Sequence, residues 1–124
     1  MDRSEFFEYI EKSYGIEGDH PFEKYPDITV FRHQNNKKWF AAVMEVRKRS
    51  LGIPDDGYID VVNLKCEYIL IHSLIHDRGI YPAYHMNKAH WISVALSECD
   101  RDQLYGLVDI SYELTKNKSK KSPQ

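Results

Sequence analysis

From residue 2 onward the apolar positions recur at helical spacing. Phe6, Phe7, Ile10 and Tyr14 fall on one stripe of DRSEFFEYIEKSY, and that periodicity predicts a helix over 2–14. Asp2 followed three positions later by Glu5 is a capping-box pattern, and Gly15 stands where a left-handed stop belongs. GIEGDHPFEKYPD (15–27), with two glycines and two prolines, reads as a loop. From Ile28 the period drops to two. ITVFRH and KWFAAVMEV are strand-like, and Gln34, Asn35, Asn36 and Lys37 between them suit a hairpin turn.

RSLGIPDDG (49–57) is a second loop. YIDVVNLK (58–65) is a third strand, with Tyr58, Asp60, Val62 and Leu64 alternating against Ile59, Val61, Asn63 and Lys65. A helix over 66–78 follows, with Tyr68, Ile71, Leu74 and Ile75 on its apolar face and Gly79 at its end. A proline-containing loop leads into the strand HWISVALS (90–97), where Ile92, Val94 and Leu96 share a face and Trp91 and Ser93 point the other way. The last helix begins at Asp100, with Gln103 completing a second capping-box pattern and Leu104, Leu107, Ser111 and Leu114 on the buried stripe. The expected architecture is α+β: an antiparallel or mixed sheet of at least four strands, covered by helices on one face and open on the other. One domain is expected over 1–117, followed by a disordered basic tail over 118–124.

Composition adds little until charge is mapped along the chain. At 124 residues the protein is long enough to bury roughly two-thirds of its unfolded surface around one core. No run of 18 apolar residues occurs and the N-terminal stretch is acidic and amphipathic, so a cytoplasmic protein without membrane contact is expected. Cys66 and Cys99 form no C-x-x-C pair and read as reduced, half-buried small hydrophobes, with neither disulfide nor zinc. The net charge of -2 conceals strong segregation. Residues 28–49 carry Arg32, Lys37, Lys38, Arg47, Lys48 and Arg49 against Glu45 alone, while 1–27 and 50–115 are net acidic and the tail from Lys116 is basic again.

Candidate chemistry is sparse. His72 and His76 have the i, i+4 spacing of a two-histidine metal site, but no third ligand is prescribed and they fall on the solvent flank of the expected helix. There is no nucleophile elbow, glycine-rich phosphate loop or H-E-x-x-H, and Asp55-Asp56-Gly57 is too short for a calcium loop, so neither catalysis nor a cofactor is expected. Two stretches remain. GDHPF (18–22) offers Asp19 and His20 either to backbone groups or to a pocket. YHMNKAHW (84–91) gathers Tyr84, His85, Asn87, Lys88, His90 and Trp91. Alternation turns Trp91 away from the helices, onto a face beside a cation and amide donors, a composition suited to stacking a base or docking a partner. Burial of Trp91 under the loop is the other outcome. Tyr105 and Tyr112 are candidates for a self-association face, and the oligomeric state is otherwise unspecified.

GDHPF, the FAAVM strand, VNLKC (62–66), YHMNKAHW and SYEL (111–114) occur in an order that resembles the MmcQ/YjbR family of small bacterial proteins, over about residues 5–117. The resemblance implies an α+β fold similar to CyaY, the bacterial frataxin homologue, and to the double-wing domain of a phage transcription factor. Members of the family are often described as DNA-binding on that likeness. Two features depart from it: RKRSLGIPDDG is longer than in the shortest members, and Tyr68 stands where proline is expected. The frataxin likeness also suggests iron along Asp2, Glu5, Glu8 and Glu11, for which a solvated helix face is the ordinary explanation.

Two readings of function follow. In the first, nucleic acid is held by phosphate contacts from Arg32, Lys37, Lys38, Arg47, Lys48, Arg49, Lys65 and Lys88, with Tyr84, His85, Asn87, His90 and Trp91 against bases or sugars. In the second, a non-enzymatic interaction or small-ligand module has a pocket lined by GDHPF and YHMNKAHW. The two differ in whether the cations share one surface with Trp91.

Overall fold

The capping-box pattern at the N-terminus is realised in full. In the computed structural model, which describes residues 1–116, the Asp2 carboxylate accepts from the Glu5 amide at 2.9 Å and the Glu5 carboxylate accepts from the Asp2 amide at 3.0 Å. This opens helix α1 (Arg3–Tyr14), which buries Phe6 and Ile10 and stops at Gly15, φ 69°. The chain continues through β1 (Thr29–Arg32), β2 (Trp39–Arg47), a 3₁₀ turn (Lys48–Leu51) and β3 (Tyr58–Lys65). It ends with α2 (Tyr68–Leu74), β4 (Ile80–Pro82), β5 (Trp91–Ala95) and α3 (Arg101–Lys116). The five strands form one antiparallel sheet in the order β1-β2-β3-β5-β4. The expected α+β class, with every helix on one face, is the observed one. The tail expected over 118–124 lies outside the described residues.

The helices lie over Phe31, Phe40, Val43, Val62, Leu64, Ile92 and Val94, to which Phe6, Ile10, Ile71, Leu104, Leu107 and Val108 contribute the other half of the core. Tyr105 and Tyr112, the candidates for a self-association face, pack against tyrosines of α1. Tyr9 and Tyr105 stack with ring centroids 3.8 Å apart, Tyr14 packs on Tyr112 at 4.6 Å, and the Tyr14 hydroxyl donates to Asp109. On α3 the buried stripe runs through Leu104, Leu107, Val108, Ser111 and Thr115. Leu114, expected inside, is only half-buried because the hairpin turn packs beside Thr115.

Three further differences from the sequence pattern have physical causes. Strand β4 is absent from the expectation: three residues ending in Pro82 carry no visible alternation, and proline fits only at an edge. Helix α2 is shorter than 66–78 and leaves Tyr68 58% exposed, since after Leu74 the chain turns sharply to begin β4. The second face of the sheet is not open. Val30, Ala42, Met44, Val46, Ile59, Val61 and Ala95 form a separate cluster with 0–6% exposure, closed by Ile28, Trp39, Leu51, Tyr81 and Tyr84 from strand ends and loops.

The β1–β2 turn is fastened to the end of α3. The His33 ring lies 2.8 Å from the Thr115 hydroxyl, and Asn36 Nδ2 donates to the Thr115 and Lys116 carbonyls at 2.8 and 3.1 Å. These carbonyls lie in the last described turn of α3. Burial holds the His33 ring below its ordinary pKa of 6.5, the favourable Tyr112 carbonyl notwithstanding. The unfolded chain therefore binds the extra proton first, and stability is lost as pH falls below about 6.5. Urea midpoints measured at pH 7.5 and 5.5 are expected to drop further for the wild type than for His33→Gln. Equal drops would remove His33 from the account.

Candidate functional site

A β-bulge determines which side chains reach the second face. Phe31 pairs with Ala41, but Arg32 pairs with Trp39, so β2 carries one extra residue at Phe40. Phe40 and Ala41 both join the helix-side core. Trp39 is thereby turned to the other face, beside Arg32 and against the second cluster. On the neighbouring strands Lys65 pairs with Trp91, and Ser93, two residues on, pairs with Asn63. Ile92 faces the helices, which puts Trp91 and Lys65 on the second face. At one end of that face four adjacent strands thus present Arg32, Trp39, Lys65 and Trp91 in a row, all half-buried. Phe22 stands edge-on to Trp39, centroids 6.0 Å apart.

The hairpin turn and the 83–90 loop lie at this same end. Lys37 and Lys38 immediately precede Trp39, and His85, Asn87, Lys88 and His90 are exposed immediately before Trp91. Among the described residues Lys37, Lys38, Lys65 and Lys88 form no ion pair, whereas Arg32 is held by Asp19 through two bonds of 3.0 and 3.1 Å. Arg47, Lys48 and Arg49 do not belong here. The nine residues of β2 carry them to the opposite end, about 27 Å away at the rise of an antiparallel strand. There Lys48 meets Asp55 at 3.3 Å, Arg49 meets Asp56 at 2.8 Å, and Arg47 lies over the Tyr58 ring. The basic segment is contiguous in sequence and divided in space.

The loop is fixed by two buried polar side chains that the sequence pattern does not single out. Ser93 and Asn63 are both fully buried; Ser93 Oγ donates to Asn63 Oδ1 at 2.5 Å, and Asn63 Nδ2 donates to the Tyr84 carbonyl at 2.9 Å. Ser93 Oγ also accepts from the Tyr84 amide at 2.9 Å. Within the loop, the Asn87 side chain accepts from the Ala89 amide, and its carbonyl accepts from the His90 and Trp91 amides. Asn87 is therefore a turn former, leaving His85, Lys88 and His90 free to face solvent. His85 takes up a left-handed backbone, φ 64°. Tyr84 belongs to the second cluster, its ring 3.9 Å from that of His85.

Other candidates disperse. Asp19 and His20 sit at the β1 edge, where Asp19 pairs with Val30 and His20 approaches Thr29. Three strand spacings, about 14 Å, separate that edge from β5, while Phe22 of GDHPF reaches Trp39 on β2. Helix α2 ends at Leu74, so His76 lies beyond it and the i, i+4 geometry with His72 is not formed. On α1 three of the four acidic residues are engaged otherwise: Asp2 and Glu5 in the cap, Glu8 with Lys12 at 3.0 Å. Burial raises the thiol pKa of both Cys66 and Cys99. Among the described residues no group of three or more His, Cys, Asp or Glu stands close enough to hold a metal ion, and no helix is long and apolar enough to cross a membrane.

Replacing Ser93 by alanine strands a buried amide oxygen and a backbone N–H. The variant is expected to lose on the order of 2 kcal/mol in urea unfolding, with faster hydrogen exchange at the Tyr84 amide. A loss below about 0.5 kcal/mol, within the range of an ordinary surface change, would show that the loop is held by other means.

The chain is similar over most of its length to proteins already known. It is 39% identical over 117 residues to the uncharacterized protein YyaQ of Bacillus subtilis (strain 168), covering 94% of this chain and 99% of that one. The crystal structure of a Pseudomonas syringae protein superposes with a TM-score of 0.91 at 44% identity, covering 94% of this chain and 100% of the other. That of a Deinococcus radiodurans protein superposes at 0.69 with 21% identity, over 96% and 81% of the two chains, a likeness of fold alone. The model of the YjbR family matches residues 11–114, and the chain belongs to that family.

Proposed function

We propose that this protein binds nucleic acid through the end of the second sheet face that carries Trp39, Lys65 and Trp91. One observation carries the reading: four lysines without ion pairs among the described residues (Lys37, Lys38, Lys65 and Lys88) lie at the same end as two half-buried indoles. Phosphates are attracted by such cations without regard to sequence. Indoles supply flat apolar contact for bases or sugars. Arg47, Lys48 and Arg49, which the sequence alone would include, contribute little to this interface. They are distant and largely matched by Asp55, Asp56 and the Tyr58 ring.

A protein-docking role has one observation of its own, the run of Tyr68, Ile69 and Leu70 on α2, which are 58%, 78% and 37% exposed. That patch opens α2, three residues after Lys65. Asp19 and His20 lie at the β1 edge of the sheet, three strands from the strand that carries Trp91.

About four phosphate contacts correspond to a fall in affinity of about a hundredfold between 50 and 200 mM salt. Lys65→Glu combined with Lys88→Glu is expected to weaken binding at least tenfold for every nucleic-acid sequence, measured by fluorescence anisotropy. Arg47→Glu combined with Arg49→Glu is expected to change it less than threefold. The reverse order of effects, or affinity indifferent to salt, would refute the proposed interface.

A further inference from the structure

We infer that the nucleic acid held at this end is single-stranded, an inference that rests on the proposed function above. Reading a duplex by its bases requires an element that enters a groove, a helix or a two-stranded ribbon. Neither is available on the second face. All three helices pack on the opposite side, α1 through Phe6 and Ile10, α2 through Ile71, and α3 through Leu104, Leu107 and Val108.

The β1–β2 ribbon lies near the lysines, and its tip is tied down. Asn36 is bonded to the last carbonyls of α3 and His33 to Thr115, so the turn rests on the helix layer. At the other end of the sheet, the turn following β2 is closed on itself by Lys48–Asp55 and Arg49–Asp56. A double-wing mode of duplex recognition has no free wing here.

The row itself suits an unpaired strand. Trp39 on β2 and Trp91 on β5 have β3 between them, which places their backbones about 10 Å apart. Lys65, the direct partner of Trp91, occupies the intervening strand. Rings set on a sheet surface can meet base faces only when those faces are not already stacked in a duplex. Two ring contacts flanking one ammonium correspond to a short run of nucleotides, with backbone phosphate over Lys65 and further phosphates toward Lys37, Lys38 and Lys88. Phe22, edge-on to Trp39, adds a third ring at the margin.

The test compares fluorescein-labelled dT12, rU12 and a 12-base-pair mixed-sequence DNA duplex by anisotropy at 50 mM salt, alongside quenching of the protein's own indole emission by unlabelled dT12. At least tenfold tighter binding of dT12 or rU12 than of the duplex is expected, with quenching. Trp39→Leu and Trp91→Leu are each expected to weaken single-strand binding about tenfold, the size of one lost base stack. The wild-type quenching needs no variant to fold. Duplex binding equal to or tighter than single-strand binding, or single-strand binding without quenching, would overturn the inference while the broader nucleic-acid reading stands. No binding of any of the three probes would overturn both.

Discussion

A sheet with helices on one side only must close its other face by other means, and in this protein a buried amide does much of that work. Asn63 lies in the middle of β3 with no exposure, and its side chain joins Ser93 on the next strand to the backbone of Tyr84. Burying an amide in an apolar face is costly unless all its groups are bonded. Here the bonds are made to the loop that precedes Trp91. The loop is therefore held against the sheet from below, and the second face is divided. One part is dry and apolar, around Val46, Ile59 and Val61; the other carries the cations and indoles.

The division also separates stability from function. On the helix side, α1 and α3 are joined by tyrosine rings and by the Tyr14–Asp109 hydrogen bond; burial, together with that carboxylate acceptor, pushes the Tyr14 phenol well above its usual range. At the hairpin turn, His33 and Asn36 are spent on the end of α3. The lysines beside that turn form no ion pair among the described residues, and Trp39 and Trp91 lie half-buried on the sheet face that no helix covers.

Much of the frame is legible in the sequence because it is local. The Asp2–Glu5 cap, the Gly15 stop, the alternation of Tyr58 to Lys65 and the outward turn of Trp91 all depend on residues within a few positions of one another. What escapes is non-local. Strict alternation would put Trp39 on the helix side, and only the extra residue at Phe40 reverses it, a bulge defined by pairing with β1. The cluster around Met44 and Val46 cannot be foreseen without the loops that cover it. A run of basic residues over 32–49 looks like one patch, yet a nine-residue strand moves its halves to opposite ends. Asn63 was the available clue: an amide in a strand whose neighbours are Val61, Val62 and Leu64 needs a partner, though its position does not say which.

The account's central claim is spatial, that one end of one face meets the ligand. It is tested most directly by following backbone amide and indole Nε1–H resonances while dT12 is added to the isotope-labelled protein. The expected outcome is a set of shifts confined to Lys37, Lys38, Trp39, Lys65, Trp91 and residues 84–90, with α1, α3 and the 47–57 turn unmoved. Shifts centred on Arg47, Lys48 and Arg49, or on the exposed side of α2, would contradict it.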